Sequence, residues 1–274
     1  MAFVDVNGNE IFYQVHNHKG TPFVLLMGLG GSSDGWKFQV EEFQKQYSII
    51  TPDNRGAGRS AKPDEEYSME QFADDLAAIF EQEKIDQAIV LGASMGGLIA
   101  QEFYHKYPEK VKALILCCTG VGPNDPDFIM ADPKVLEVLA AVFPEDEKEQ
   151  RKYLGEYINI FYHHTYCDRN PGLLDWMHYK RTTKGQPEYA NKRQLMSCLT
   201  HTPNSPRLKD IKVPTLVIHG EDDIIWPTSN ATYLAENIND TELYMMKEAG
   251  HMFFVEKPEE FNTAILDFLT SNNL

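Results

Sequence analysis

Three short segments carry the residue types of nucleophilic acyl transfer: a serine in "GASMGG", an aspartate in "GEDDIIWP" and a histidine in "AGHMFF". Ser94 stands between Gly92 and Gly96, after the apolar run "QAIVLGA" and before the amphipathic "MGGLIAQEFYHKYPEK". A strand that enters a helix through G-x-S-x-G must turn sharply at the serine. Neighbouring side chains would collide there, and the turn lifts the hydroxyl above the sheet edge. Gly92, Gly96 and Gly97 are therefore read as the residues that permit the turn. The same turn places the free N–H groups of the helix start under a reacting carbonyl. A chain of this length contains the five-residue pattern by accident roughly one time in fifteen, so the flanking strand and helix carry the assignment.

A serine hydroxyl is a poor nucleophile until a base takes its proton. In the chain order serine, acid, histidine, both partners come late. "TLVIHG" reads as a buried strand, and Asp222 and Asp223 follow it at once. The pattern G-x-x-D with Pro227 four residues on points to Asp223, and Asp222 is the reserve choice. His251 follows Gly250 between a strand and the last helix, which suits a base. The oxyanion needs two N–H donors. Met95, next to the nucleophile, offers its backbone, and Leu29 in "MGLGGSSDGW" is the choice for the second. The remaining histidines fit the chemistry less well. His219 lies in the strand before Asp223 as a core residue or a support for the acid. His16, His18, His105 and His201 read as surface residues. His163, His164 and His178 fall in a helical segment where any of them is placed to meet a ligand.

Metal and nucleotide chemistry find little support. No histidine pair has H-E-x-x-H spacing, and Cys117, Cys118, Cys167 and Cys198 match no zinc or CxxC pattern. They read as reduced structural thiols. "GLGG" lacks the full G-x-G-x-x-G spacing, and "DNRGAGRS" reads as a tight loop after a strand. No cofactor is expected. The formal charge of −16 argues against nucleic-acid and membrane partners, leaving a small-molecule substrate. No segment approaches the ~18 unbroken apolar residues of a membrane span. The amino terminus has no basic patch followed by an apolar run, so the chain is expected to be cytoplasmic.

These residues need a scaffold that brings distant loops to one edge. Short apolar runs alternate with helical patterns: "FVDV", "IFYQVH", "PFVLLMG", "YSIITPD", "QAIVLGA", "VKALILCC", "VPTLVIHG" and "ELYMMKEA" read as strands. Several are apolar throughout, as strands covered on both faces should be. "SMEQFADDLAAIFEQEK" and the last helix, with Phe261, Ile265, Phe268 and Leu269, show apolar stripes at helical spacing. Strand–helix alternation implies right-handed crossovers in an open α/β sheet. The alternation stops between about residues 122 and 206, where "PKVLEVLAAVF", "EKEQRKYLGEYINIFYHH", "LLDWMHYKRTT" and "EYANKRQLMSCLT" are all helical. A core is expected over 1–121 and 207–274, with 122–206 as a helical cap over the carboxyl ends of the strands. Helices packed elsewhere for stability are the competing reading of that segment.

Taken in order, "LLMGLGGSSDGW", "DNRGAGRS", "GASMGG", "GEDDIIWP" and "GHMFFVEKP" resemble the α/β-hydrolase superfamily over essentially the whole chain, in particular oxoadipate enol-lactonases, non-haem haloperoxidase-like esterases and small carboxylesterases. The resemblance implies an eight-stranded, mostly parallel sheet with strand two antiparallel, helices on both faces and a helical cap after strand six. Ser94 excludes relatives with an aspartate nucleophile. Many relatives carry His-Gly at the oxyanion loop where this chain has Met27-Gly28, so whatever bracing that histidine gives is missing. The expected activity is hydrolysis of a small carboxylic ester or lactone through an acyl-enzyme. A carbon–carbon bond hydrolase, an acyltransferase or perhydrolase, and a ligand receptor on a hydrolase scaffold remain alternatives. Aromatic residues of the cap, among them Tyr157, Phe161 and Trp176, are candidates for an apolar pocket. Arg169, Arg181 and Arg193 would hold a substrate carboxylate if they point inward.

Overall fold

The computed structural model describes residues 1–274, apart from the side chain of Lys184. All eight apolar runs are strands: β1 (Ala2–Val6), β2 (Asn9–Val15), β3 (Pro22–Leu26), β4 (Ser48–Pro52), β5 (Ala88–Ala93), β6 (Val111–Cys117), β7 (Thr215–Gly220) and β8 (Thr241–Met246). They form one sheet in the order β1-β2-β4-β3-β5-β6-β7-β8. β2 runs antiparallel to β1 and β4, and every other pairing is parallel. Every residue of β5 and β7 is buried, which is why these strands read as unbroken apolar runs. Edge strand β8 is mostly open to solvent.

Helices cover both faces. α1 (Lys37–Phe43), α2 (Met69–Glu83) and α3 (Met95–Lys106) follow β3, β4 and β5. α2 starts at a capping box in which Ser68 and Gln71 bond each other's backbone, and it ends at Lys84 in the left-handed region. Between β6 and β7 lie five helices: α4 (Pro133–Ala140), α5 (Glu147–Phe161), α6 (His164–Arg169), α7 (Leu173–Lys184) and α8 (Glu188–Leu199). α9 (Ser229–Asn237) follows β7, and α10 (Phe253–Glu256) and α11 (Pro258–Ser271) follow β8. The apolar interior divides by sheet face. α2, α3 and α9 pack on one side, and α1, α10 and α11 on the other, around Trp36, Phe254 and Phe261. The expected stripe of the last helix is buried at Phe261, Ile265, Phe268 and Leu269. Among the described residues, no helix is long and apolar enough to cross a membrane.

Parallel pairing sends the carboxyl ends of β3 through β8 to one edge. There the loops are laced by backbone bonds: Ser94 N–H to Cys117 O at 2.9 Å, Cys118 N–H to Ile218 O at 3.1 Å and Asp222 N–H to Ala249 O at 3.0 Å. Between β5 and α3 the chain leaves no space. A Cβ on Gly92 would overlap the Gly96 carbonyl, and one on Gly96 would overlap the carbonyl of Leu26. Because both obstacles are backbone, neither can swing aside. Gly92→Ala is therefore expected to cost about 3 kcal/mol of stability, the scale of overpacking in a rigid core. Urea unfolding would measure it, and a loss near zero would show that strand and helix approach less closely.

Candidate active site

Ser94 occupies the turn between β5 and α3 with φ 56° and ψ −120°, a left-handed backbone that an L-residue tolerates only when its surroundings enforce it. Gly97 N–H and the Thr119 hydroxyl both donate to the Ser94 carbonyl at 2.9 Å and hold that turn. The side chain faces the β3 loop: a Cβ on Gly28 would stand 3.5 Å from Ser94 Oγ. Met95 is the first residue of α3, so its N–H has no partner within the helix. Leu29 follows Gly28 in the loop pressed against Ser94, and its N–H makes no bond to other backbone. Both proposed oxyanion donors thus belong to segments that touch residue 94.

Asp223 and His251 meet as the sequence expects. His251 Nδ1 donates to Asp223 Oδ2 at 2.7 Å, and both side chains are buried. A carboxylate accepts only, so Nδ1 carries a proton, and the neutral imidazole that fits this bond has its lone pair on Nε2. The other carboxylate oxygen accepts from Ile225 N–H at 2.9 Å and Trp226 N–H at 3.0 Å. Burial pushes the Asp223 carboxyl up. The charge and hydrogen bond of His251, the nearby His219 and the Trp226 N–H outweigh it and hold the group below its ordinary range. The two neighbouring aspartates differ in exposure. The Asp223 side chain is 0% exposed and that of Asp222 is 51% exposed, 3.6 Å from His163. Ser94 Oγ and His251 Nε2 are not joined by a hydrogen bond. Catalytic hydrogen bonds are commonly long before substrate binds and tighten around the reacting group.

His219 supports the acid turn from below. Its Nε2 donates to Trp226 O at 2.6 Å and lies 3.4 Å from Asp223 Oδ2, while burial lowers its pKa. One of the expected surface histidines is not at the surface. His201 is buried, with Nε2 3.1 Å from Asn204 Nδ2, and His105 is half-buried, its pKa lowered by burial to about 4. His16 is half-buried against Thr51, and His18 is exposed. The helical-segment arginines spend their charge locally. Arg193 pairs with Asp64 at 3.2 Å, Arg181 covers the Phe143 ring, and Arg169 donates to the Thr165 carbonyl. Trp176 is 54% exposed and faces solvent, whereas Phe161 meets the His251 ring edge-on at 5.5 Å. The cysteines form no disulfide, and burial pushes the thiols of Cys117 and Cys118 well up. Among the described residues, no group of three His, Cys, Asp or Glu is placed to hold a metal.

Three polar side chains that carried no signal in the sequence tie the inserted helices to these loops. Gln194 of α8 accepts from Gly30 N–H at 2.8 Å and donates to Arg55 O at 2.7 Å. Gln186 donates to Gly30 O at 3.0 Å. Glu256 accepts from Gly250 N–H at 3.2 Å and from His163 N–H at 3.3 Å, joining the His251 loop to the end of α5. Met252 N–H adds a bond to Phe161 O at 3.0 Å. Gln186 and Gln194 belong to no local motif; Glu256 lies within "GHMFFVEKP", but its bond to the His163 N–H spans 93 positions and has no local periodicity.

Comparison with known proteins agrees with this geometry. The family described as "alpha/beta hydrolase fold" matches residues 21–258, and the chain belongs to that family. It is 26% identical to 3-oxoadipate enol-lactonase 2 of Acinetobacter baylyi, covering 88% of this chain and 86% of that one. Among solved structures it superposes on a thermophilic esterase from Thermogutta terrifontis with TM-score 0.83 and 26% identity, over 98% of both chains. It also superposes on Est816, described as an N-acyl homoserine lactone degrading enzyme, with TM-score 0.81 and 26% identity, over 97% of this chain and 100% of that one.

Glu256 provides a pH test of the site's construction. Burial pushes its carboxyl from 4.5 up to about 7, against the N–H groups of Gly250 and His163. A folded-state value above the unfolded one means the group stabilises the fold at low pH and loses that contribution as pH rises through about 7. A shift of this size corresponds to ~3 kcal/mol. Between about pH 4 and about pH 8, the unfolding free energy of the wild type should fall relative to Glu256→Gln by about that amount. Urea titrations at both ends would read it, and a difference that does not change with pH would contradict the burial described.

Proposed function

We propose that the protein is a serine hydrolase that cleaves a small carboxylic ester or lactone through an acyl-enzyme. The observation that carries this reading is the buried Asp223–His251 bond of 2.7 Å on the same sheet edge as the left-handed turn at Ser94. The names of the similar enol-lactonase, esterase and lactone-degrading enzyme support the ester and lactone class.

In this mechanism His251 Nε2 takes the Ser94 proton as Oγ attacks the carbonyl carbon. The carbonyl oxygen becomes an oxyanion held by Leu29 N–H and Met95 N–H, each contributing ~3 kcal/mol to the transition state. Asp223 keeps the imidazole in the required tautomer and stabilises its charged form. Collapse of the intermediate expels the alkoxide, which takes the proton from His251. In a lactone the alkoxide stays attached, and the ring opens. Water, deprotonated by His251, then attacks the acyl-enzyme and releases the acid. These steps need no metal or organic cofactor. Residues 122–206 act as the cap, and the Tyr157–Phe161 stack, 4.1 Å between ring centroids, gives the site an apolar wall beside His251.

Ser94→Ala should lower turnover of a chromogenic aryl ester by roughly 10⁴-fold while leaving the fold intact. Near-normal hydrolysis by that variant would remove Ser94 from the chemistry. A panel of esters and lactones of increasing acyl length, with a vinylogous diketone and an added alcohol acceptor, would sort hydrolysis of C–O bonds from carbon–carbon cleavage and acyl transfer. Ligand binding without turnover by the unmodified protein would favour the receptor reading.

A further inference from the structure

The oxyanion loop has an unusual support. Gly28, Gly30 and Gly31 leave its backbone with wide conformational freedom, and Gly30 uses a left-handed φ of 68°. A loop of that kind fixes an N–H only if something restrains the adjoining peptide planes. Asn54 Nδ2 restrains one end by donating to Met27 O at 2.8 Å. At the other end both polar groups of Gly30 are taken by the inserted helices, N–H by Gln194 and C=O by Gln186. Gln194 is 0% exposed, so its bonds form away from competing water. Its amide nitrogen is anchored in turn to the carbonyl of Arg55, whose guanidinium makes a two-pronged bond with the buried Asp75 of α2 at 2.7 and 3.1 Å.

We infer that Gln194, reaching from the cap, is a positioning residue that orients the Leu29 N–H for the oxyanion. The inference rests on the hydrolase reading above and deepens it. Bonding of Gly30 N–H to Gln194 fixes the plane between Leu29 and Gly30. It thereby restrains ψ of Leu29 and, together with the Met27 bond at the other end of the loop, narrows the directions open to the Leu29 N–H one plane earlier. Through this bond the cap takes part in forming the oxyanion site as well as covering it. Gln194 touches no reacting atom, so its removal weakens transition-state binding and spares ground-state binding.

The test uses the full-length protein with p-nitrophenyl acetate as substrate and phenylboronic acid as the tetrahedral mimic that bonds Ser94. Gln194→Met keeps the length of the side chain and loses both hydrogen bonds. It should lower kcat/KM roughly 10- to 100-fold through kcat, less than the ~10²–10³-fold loss from deleting an oxyanion donor. Boronate affinity should fall by the same factor, with KM little changed. Gln194→Glu keeps an acceptor for Gly30 and should retain more activity than the methionine variant. Equal activity in all three proteins overturns the proposal, as does a loss confined to KM. A second measurement needs no variant: in the unmodified protein the Gly30 amide should exchange with solvent at least ~100-fold more slowly than an open loop amide. Exchange at the unprotected rate overturns the proposal directly. If the unmodified protein neither hydrolyses the ester nor binds the boronate, the hydrolase reading fails, while the exchange result still reports on the Gly30 bond.

Discussion

The contact on which the site depends is between backbones. At the sharp turn of residue 94, Gly96 lies against the carbonyl end of β3 and Gly92 against the first turn of α3. No side chain fits in either place, so strand, helix and neighbouring loop are held at a separation set by peptide atoms alone. That constraint decides three things together. It raises the serine hydroxyl above the sheet, frees the first N–H of α3, and brings Gly28 within van der Waals reach of Ser94. The strain of a left-handed serine is sustained because Gly97, Thr119 and Cys117 each bond its backbone.

Around that fixed point the other groups are held by two kinds of force. Asp223 and His251 sit on loops laced to the sheet by backbone hydrogen bonds, and the buried carboxylate of Asp223 has bonds to each oxygen. The five inserted helices are fastened differently, through a few polar side chains spaced around the rim. Glu256 and Met252 bind the end of α5, Gly30 and Arg55 bind the middle of α8, and Gly30 also binds the loop before it. Apolar packing of Phe161 against His251 completes that contact. The insertion is joined to the loops of His251 and of Gly30, so movement of either fastening reaches the site we propose.

Much of this was legible in the sequence because it rests on local pattern. Continuous apolar runs marked β5 and β7, whose every residue is covered, and glycine spacing marked the turn at Ser94. The preference for Asp223 over Asp222 came from its spacing to Gly220 and Pro227, and the structure buries the first against His251 while leaving the second exposed. What the sequence hid was long-range and polar. Gln194 and Glu256 lie among residues of similar character, and only folding shows that one meets a glycine 164 positions away and the other a backbone N–H 93 positions away. His201 looked like a surface residue for the same reason: its burial comes from the packing of Asn204 and Glu102 around it, with no apolar period to announce it.

The break in the sheet's connectivity has a consequence for how the chain matures. β6 ends at Cys117 and its partner β7 begins at Thr215, so the five helices emerge from the ribosome before β6 acquires its outer neighbour. Until then β6 is an unpaired apolar edge, open to pairing with another nascent chain. Closing so wide a span is slow because the intervening segment must be ordered or looped aside first. Ser94 and the loop of Gly28, Gly30 and Gly31 are synthesised ahead of this gap, and Asp223 and His251 behind it. In the mechanism we propose, reactivity therefore arrives only after the final strands have docked, which leaves an incomplete chain with a serine but no means of activating it.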